Sequence, residues 1–176
     1  MKQIKFFPVA FILSLFFFSC TKEQPVATND VIEKANNSEQ AVIAGQPNCT
    51  EAIKGNLRLK VVVDTDKSTS TSTSVKINSK TEQLYPSGGY ILVYDLTRSS
   101  NNIRLEYKQV NTSCGNPAAA AFLPATSAPQ LNSLAAGSYP IEIIVKGSVN
   151  KGTLNIPASP GSPTLVMQST NGIVIE

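Results

Sequence analysis

Cysteine is the residue type with the clearest chemistry in this chain, and it occurs three times, as Cys20, Cys49 and Cys114. Cys20 directly follows an apolar leader, which leaves Cys49 and Cys114 as a pair. An even number of remaining thiols in an exported chain predicts a disulfide bond, with two unpaired buried thiols as the alternative. A Cys49–Cys114 bridge would close a loop of about 65 residues and stabilise the fold by roughly 4 kcal/mol in the chain-entropy model.

The sequence offers little for acid–base catalysis. It contains no histidine, which excludes the commonest general base and the Ser-His-Asp and Cys-His nucleophile systems. Asp64 and Asp66 stand close together near the end of a predicted strand, where their oxygens would suit Ca²⁺ or the carboxylate pair of a glycoside hydrolase. A lone Asp-x-Asp is more often a solvated strand end. We therefore predict no catalytic residue, no metal site and no cofactor.

Tyr85 is the candidate contact for a ligand. Sugar-binding modules stack sugar rings on exposed aromatic side chains, and this chain has no tryptophan to do so. Tyr85 precedes Pro86 and the pair Gly88-Gly89, a composition typical of an exposed loop. The other four tyrosines share parity with apolar residues in their predicted strands, so we expect them in the core; they are Tyr90, Tyr94, Tyr107 and Tyr139.

The net charge argues against nucleic acid as a partner. It is +3 over the whole chain and falls to +1 when Lys2 and Lys5, which lie in the leader, are left out. No stretch after the leader clusters basic residues along the sequence, and binding to phosphate backbones requires such clusters. We therefore expect the partner to be a protein or a glycan.

Residues 1–19 have the form of a signal peptide. A short positive segment is followed by the apolar run Phe6–Phe18, which is shorter than the stretch of about 20 residues that spans a bilayer. The run ends at Phe17-Phe18-Ser19-Cys20. This sequence resembles the lipobox of bacterial lipoproteins, in the aromatic-rich form found in the Bacteroidetes type.

The lipobox resemblance implies that the leader is cleaved before Cys20 and that lipid on the Cys20 thiol holds the mature chain to the outer membrane. Two or three acyl chains make a durable anchor, because each buried methylene contributes about 0.8 kcal/mol. The segment Thr21-Lys22-Glu23-Gln24 partly matches the charged motif that directs such lipoproteins outward, so we favour the cell surface over the periplasmic face. An ordinary secretory signal with a coincidental cysteine is the alternative.

Residues 20–47 are predicted to be the lipidated N-terminus and a flexible tether. They are rich in Asn, Gln, Glu and Ala and have few large apolar side chains. Asp30-Val31-Ile32-Glu33 has the form of a helix N-cap, although any helix here would be short. As a random coil, this spacer would reach about 25–30 Å.

From residue 48 to residue 176, apolar and polar residues alternate with a period of two, which predicts strands with one buried face. Turn-forming residues separate the runs, and Asn171-Gly172 predicts a type I′ hairpin. About seven or eight short strands with this spacing predict an all-β, antiparallel sandwich over 48–176. The runs are Leu57–Val63, Val75–Ile77, Tyr90–Asp95, Ile103–Lys108, Tyr139–Lys146, Leu154–Ile156, Leu165–Met167 and Ile173–Ile175.

One short segment gives this sandwich a family resemblance. Leu134-Ala135-Ala136-Gly137-Ser138-Tyr139 resembles the Leu-x-x-Gly-x-Tyr corner that opens the penultimate strand of immunoglobulin-like and fibronectin-III-like sandwiches. The resemblance implies that Gly137 takes the bend and that the Tyr139 hydroxyl bonds back to upstream backbone. The chain departs from antibody domains in having no tryptophan and a different cysteine spacing.

These observations favour a membrane-anchored, non-catalytic interaction or structural module of the cell envelope. Two alternatives remain open. One is a glycan-binding accessory lipoprotein of an outer-membrane uptake system, with Tyr85 at its binding loop. The other is an exported inhibitor or hydrolase that uses Asp and Glu residues. The sandwich resemblance does not choose among them, because such folds host many unrelated functions.

Overall fold

The structure is a computed structural model, and it describes residues 33–36, 48–86, 90–100, 102–113, 122–158 and 161–176. The predicted signal peptide, the predicted lipid anchor Cys20 and the predicted disulfide partner Cys114 lie outside these residues. The described residues contain strands and connecting loops and no helix. The predicted all-β fold class is therefore confirmed.

Twelve strands form within the described residues, more than the seven or eight predicted. The additional strands are short ones that carry no long alternating run. The strands are β1 (Glu33–Asn36), β2 (Asn48–Glu51), β3 (Leu57–Val63), β4 (Thr73–Pro86), β5 (Ile91–Ser99), β6 (Asn102–Ser113), β7 (Phe122–Ser127), β8 (Gln130–Leu134), β9 (Gly137–Val145), β10 (Ser148–Ile156), β11 (Thr164–Met167) and β12 (Ile173–Ile175).

All twelve strands belong to one sheet, whose main path runs β11-β10-β9-β6-β5-β7-β4-β3-β12. The sheet is mixed, so the prediction of a purely antiparallel sandwich is wrong. The hairpins β3–β4, β5–β6 and β9–β10 are antiparallel, whereas β12 with β3, β5 with β7, and β6 with β9 pair in parallel. Turn chemistry specifies hairpins between consecutive strands, but each parallel pair joins strands that are not consecutive in the chain.

The sheet curls until it is nearly a barrel. Its two end strands, β11 and β12, come together on either side of a cavity of about 200 Å³. Leu165 of β11, Ile175 of β12 and Val61 of β3 line this cavity. The two ends of the sheet therefore share apolar contacts without sharing a ladder of hydrogen bonds.

The core follows the period-two alternation of the sequence. Leu57 and Leu59 have no exposed surface, whereas Arg58 and Lys60, the residues that follow them in the strand, face solvent. The same parity holds in the other long strands, which bury one face against the opposite wall of the sheet. Residues buried in this way include Val75, Ile77, Ile103, Leu105, Tyr107, Ile141, Ile143, Val145, Leu154, Ile156, Leu165 and Ile173.

Strand β1 lies within the segment predicted to be a flexible tether, so that prediction is wrong for residues 33–36. Strand β7 pairs with β5 only at Ile91, which leaves the same edge of β5 open further along. Strand β1 pairs with this edge, with Glu33 opposite Arg98 and Asn36 opposite Asp95. The Arg98 Nη1 atom also lies 3.5 Å from Glu33 Oε2. An open edge of unpaired amides and carbonyls is thus covered by a segment with little strand preference of its own.

The type I′ geometry predicted for the Asn171-Gly172 turn occurs at a different turn. Asn171-Gly172 joins β11 to β12, which do not pair, and only Gly172 has a positive φ, of 76°. A type I′ turn requires positive φ at both central residues, so the predicted hairpin is wrong. The β9–β10 hairpin has that geometry instead, with φ of 50° at Lys146 and 78° at Gly147.

The predicted tyrosine corner is present as local geometry. Tyr139 packs against the core, and its hydroxyl donates to the Ala135 carbonyl at 2.9 Å. Gly137 has a φ of 154°, in a region that glycine adopts more readily than other residues, and Leu134 is fully buried. The corner opens β9, however, and three further strands follow it. It therefore confirms the local bend and leaves the immunoglobulin-like family assignment a prediction.

Candidate functional site

Tyr85 is a core residue, so its predicted exposure is wrong. Its side chain has no exposed surface, and its ring stacks on that of Tyr90 with centroids 4.9 Å apart. Its hydroxyl donates to the Ala52 carbonyl at 3.3 Å and accepts from the Lys54 amide at 3.2 Å. The reason is that β4 continues to Pro86 rather than ending in a loop, which keeps Tyr85 on the inward parity. The side chain is not available to stack on a sugar ring.

The Asp64–Asp66 pair does not form a shared carboxylate site. Asp64 is only 3% exposed, with its Oδ1 atom 3.1 Å from Lys76 Nζ and its Oδ2 atom accepting from the Gln130 amide. Asp66 lies in the turn that follows β3 and is exposed. Asp64 therefore anchors the β3–β4 connection to β8. Among the described residues, no group of three His, Cys, Asp or Glu side chains is placed to hold a metal ion.

Of the two cysteines predicted to form a disulfide bond, only Cys49 lies within the described residues. The Cys49 sulfur takes part in a disulfide bond. Strand β2 pairs with β6 so that Cys49 is opposite Thr112, two positions before Cys114. Because Cys114 lies outside the described residues, the Cys49–Cys114 pairing stays a prediction.

The most distinctive charge arrangement lies on the outer face of β3 and β4. The register of this hairpin places Arg58 directly opposite Lys80 and Lys60 directly opposite Asn78. Like charges directly across a pair of strands repel each other. The parallel strand β12 relieves this repulsion by bringing Glu176 to the same face, where its backbone amide donates to the Leu59 carbonyl at 2.9 Å.

The Glu176 carboxylate is shared between the two opposed cations. Its Oε1 atom lies 3.2 Å from Arg58 Nη1, and its Oε2 atom lies 3.3 Å from Lys80 Nζ. Hydrogen bonds from Arg58 and then Lys80 hold the pKa of Glu176 below its usual range. The second Arg58 nitrogen, Nη2, pairs with Glu82 Oε1 at 3.2 Å. Glu176 thus remains ionised and occupies one anion position between β3 and β4.

These side chains line a depression of about 560 Å³, which we call the basic groove. Lys60 has no ion-pair partner anywhere in the described part of the chain, so its ammonium group faces the groove region uncompensated. Three cations therefore meet two carboxylates, Glu176 in the lining and Glu82 beside it, which leaves an excess of one positive charge. The basic groove is lined by Arg58, Lys60, Asn78, Ser79, Lys80, Thr126, Ser127, Ala128 and Glu176.

The charges on the β6–β9–β10 face are balanced, in contrast to those of the basic groove. Arg104 pairs with Glu106 at 3.3 Å, and Lys108 pairs with Glu106 at 2.7 Å. Glu142 lies 3.6 Å from Lys151 and 3.9 Å from Arg104. The pKa of Glu106 is lowered, mainly by its hydrogen bond to Lys108. Asp95 Oδ2 lies 3.4 Å from Lys108 Nζ and supplies a third carboxylate. Three cations and three carboxylates therefore balance on this face, whereas the basic groove keeps an excess of one positive charge.

Sequence reasoning missed the basic groove because its cations do not cluster along the chain. Alternation with Leu57 and Leu59 does predict that Arg58 and Lys60 point outward. Their meeting with Lys80 depends on the β3–β4 register, and their meeting with Glu176 depends on a parallel pair between distant strands. Aligning β3 and β4 as a hairpin is the one step that could have placed Arg58 opposite Lys80 from the sequence. No sequence signal indicates Glu176.

No family model, curated protein or solved structure matches this chain. Within the part of the chain that the structure describes, no helix has the length and hydropathy needed to cross a membrane.

Proposed function

We propose that this protein is a lipid-anchored, non-catalytic binding module of the bacterial cell envelope, and that it captures an anionic ligand in the basic groove. The observation that carries the proposal is the excess of one positive charge on one face, where Lys60 has no ion-pair partner and Arg58 and Lys80 share Glu176, with Glu82 also paired to Arg58. The leader and the lipobox-like sequence ending at Cys20 support the anchor.

The groove side chains suit anion binding by their chemistry. The Arg58 guanidinium can donate from its Nη1 atom to an acidic group when Glu176 moves away, while its Nη2 atom stays paired with Glu82. Lys60 and Lys80 add charge on either side of it, and Thr126 opposite Lys80 supplies a neutral hydroxyl. A ligand with an acidic group and neighbouring polar groups would find a partner for each.

Ligand binding is tested with the full-length chain purified in detergent and an immobilised polyanion such as dextran sulfate. The double variant Lys60→Gln, Lys80→Gln is expected to bind roughly tenfold more weakly, because each exposed charge contact contributes up to about 1 kcal/mol. The matched control is Lys108→Gln, Lys151→Gln, which removes the same charge from the β6–β9–β10 face. Equal weakening by both double variants would show that binding follows net charge and not the groove.

The anchor is tested independently in the native cells. Cys20→Ser is expected to abolish incorporation of labelled fatty acid and to release the protein from the membrane fraction, because the thiol that would carry the diacylglycerol is gone. Thr21→Ser, which lies outside the lipobox-like sequence and leaves the thiol in place, serves as the comparison. Mass spectrometry that finds an uncleaved, unmodified leader on the wild-type protein would refute the anchor and leave the groove proposal standing.

A further inference from the structure

We infer that the ligand of the basic groove is a carboxylated sugar of the uronate class, and that Glu176 is an internal competitor for it. This inference rests on the proposed function. It adds the chemical class of the ligand and a device that sets its affinity. A ligand carboxylate would take the position of the Glu176 carboxylate between Arg58 and Lys80.

Glu176 shows which chemical group the position between Arg58 and Lys80 accepts. Its two oxygens are divided between the two cations, at 3.2 Å and 3.3 Å. A planar, ionised carboxylate whose two oxygens share one negative charge is thus already accommodated there by the protein itself. Any ligand carrying the same group can make the same two contacts, provided that Glu176 leaves.

The Glu176 side chain can leave without unfolding the strand that carries it. Its contacts with the cations lie at the surface, with 43% of the Arg58 side chain and 47% of the Lys80 side chain exposed. Ion pairs with this exposure are weak. The backbone of Glu176 is held separately by its amide hydrogen bond to the Leu59 carbonyl. Rotation of the side chain alone therefore opens the position.

The rest of the groove favours a sugar over an acidic peptide. No large apolar side chain occurs among the nine lining residues, so the groove offers no pocket for peptide side chains. Lys60, Asn78 and Thr126 supply donors and acceptors that suit a ring bearing several hydroxyl groups. The volume of about 560 Å³ also falls within the range of small-ligand sites, about 300–1,000 Å³.

The test is calorimetric titration of the full-length protein, in detergent, with an oligogalacturonate of defined length. We expect Glu176→Gln to bind roughly fivefold more tightly than wild type, because the variant keeps the shape of the side chain but removes the competing charge. The matched control is Glu142→Gln, which removes a carboxylate that also lies between two cations, on the β6–β9–β10 face. We expect this control to bind like wild type.

Each comparison has a distinct outcome. Equal binding of the methyl-esterified oligomer would overturn the carboxylate assignment, and tighter binding of polyglutamate would overturn the sugar assignment. Unchanged affinity in Glu176→Gln would overturn the competitor role while leaving the groove as a binding site. Failure of every polyanion to bind both wild type and Glu176→Gln would overturn the proposed function itself.

Discussion

At the scale of single residues, the buried polar groups hold strands and loops together. Asn150 has no exposed surface, yet it makes three hydrogen bonds. Its Nδ2 atom donates to the carbonyls of Asn171 at 3.0 Å and Ile143 at 3.3 Å, and its Oδ1 atom accepts from the Asn171 amide at 2.7 Å. One side chain of β10 thereby fixes the loop between β11 and β12. Since β12 carries Glu176 to the groove, Asn150 also contributes to the placement of the candidate site.

We expect Asn150→Ala to lower the free energy of unfolding by about 2–3 kcal/mol, because buried backbone groups at Asn171 and Ile143 lose their partner. Urea denaturation of the full-length protein measures the change. Asn155→Ala is the matched control, since Asn155 accepts only an exposed hydrogen bond, from Ser138, and should cost about 0.5 kcal/mol. Similar losses in the two variants would contradict the role given to Asn150.

Tyr107 couples stability to alkaline pH. Its hydroxyl is buried and hydrogen-bonded to the Ser79 hydroxyl, and burial raises its pKa well above the usual value. An unfolded chain ionises tyrosine near pH 10, about where model compounds do, while the folded chain keeps Tyr107 protonated. The contribution of Tyr107 to the free energy of unfolding is therefore fully present below about pH 10 and is lost as the pH rises further.

We expect the free energy of unfolding of the wild-type protein to fall more steeply above about pH 10 than that of Tyr107→Phe. The phenylalanine variant cannot ionise at this position, so the difference between the two curves isolates Tyr107 from the other titrating groups. Urea denaturation at a series of pH values from about pH 8 to about pH 11, which lie on both sides of the unfolded pKa of about 10, gives both curves. Parallel curves would show that Tyr107 ionises alike in the folded and unfolded chains.

At the scale of elements, strand prediction succeeded wherever apolar residues alternate over a long run. The strands β3, β6 and β9 were all predicted, with the correct inward residues, because burial of one face imposes a period of two on the sequence. Only the last three residues of β10, Leu154–Ile156, were predicted. Four strands, β1, β2, β7 and β8, were missed because they carry no such pattern. Strands β1 and β2 form where a longer strand leaves an edge uncovered, and that edge appears only when the sheet is assembled.

We expect Ala35→Pro to detach β1 from β5, because proline removes an amide and restricts the backbone. Hydrogen exchange of the backbone amides of Asp95–Arg98 should then accelerate, while those of the β9–β10 hairpin should not change. Ala35→Val is the control: the residue is exposed, and valine favours strands. Exchange that is equally slow in the proline variant would mean that β1 does not cover this edge.

At the scale of the whole molecule, β1 shortens the segment that links the sheet to the proposed anchor, because the segment ends at residue 32 and not at residue 47 as predicted. Only twelve residues separate Cys20 from Glu33, the first residue of β1. Even a fully extended chain of this length spans at most about 45 Å. If Cys20 carries lipid, the part of the sheet next to β1 therefore lies within that distance of the membrane.

We expect wild-type protein to run differently on nonreducing and reducing gels, and we expect Cys49→Ala to abolish this difference because Cys49 would lose its disulfide. Cys114→Ala should have the same effect if the two residues form the predicted bridge, with a loss of roughly 4 kcal/mol in the free energy of unfolding in each. Cys20→Ser, which leaves both residues in place, is the control. Labelling of Cys114 as a free thiol in the native protein would contradict the pairing.

The sequence by itself determined what depends on near neighbours in the chain. The inward faces of the long strands and the tyrosine corner at Tyr139 arise from spacings of two and four residues, and both are confirmed. The leader and Cys20 form a local pattern too, and the anchor predicted from them stays a prediction.

Only the tertiary structure decided what depends on contacts between distant strands. The parallel pairs, the burial of Tyr85 against Tyr90 and the strand at residues 33–36 all follow from how the sheet closes. The basic groove is the clearest case, because the ion pair between Arg58 and Glu176 joins residues 118 positions apart. No local spacing encodes such a contact, since it exists only when β12 pairs with β3.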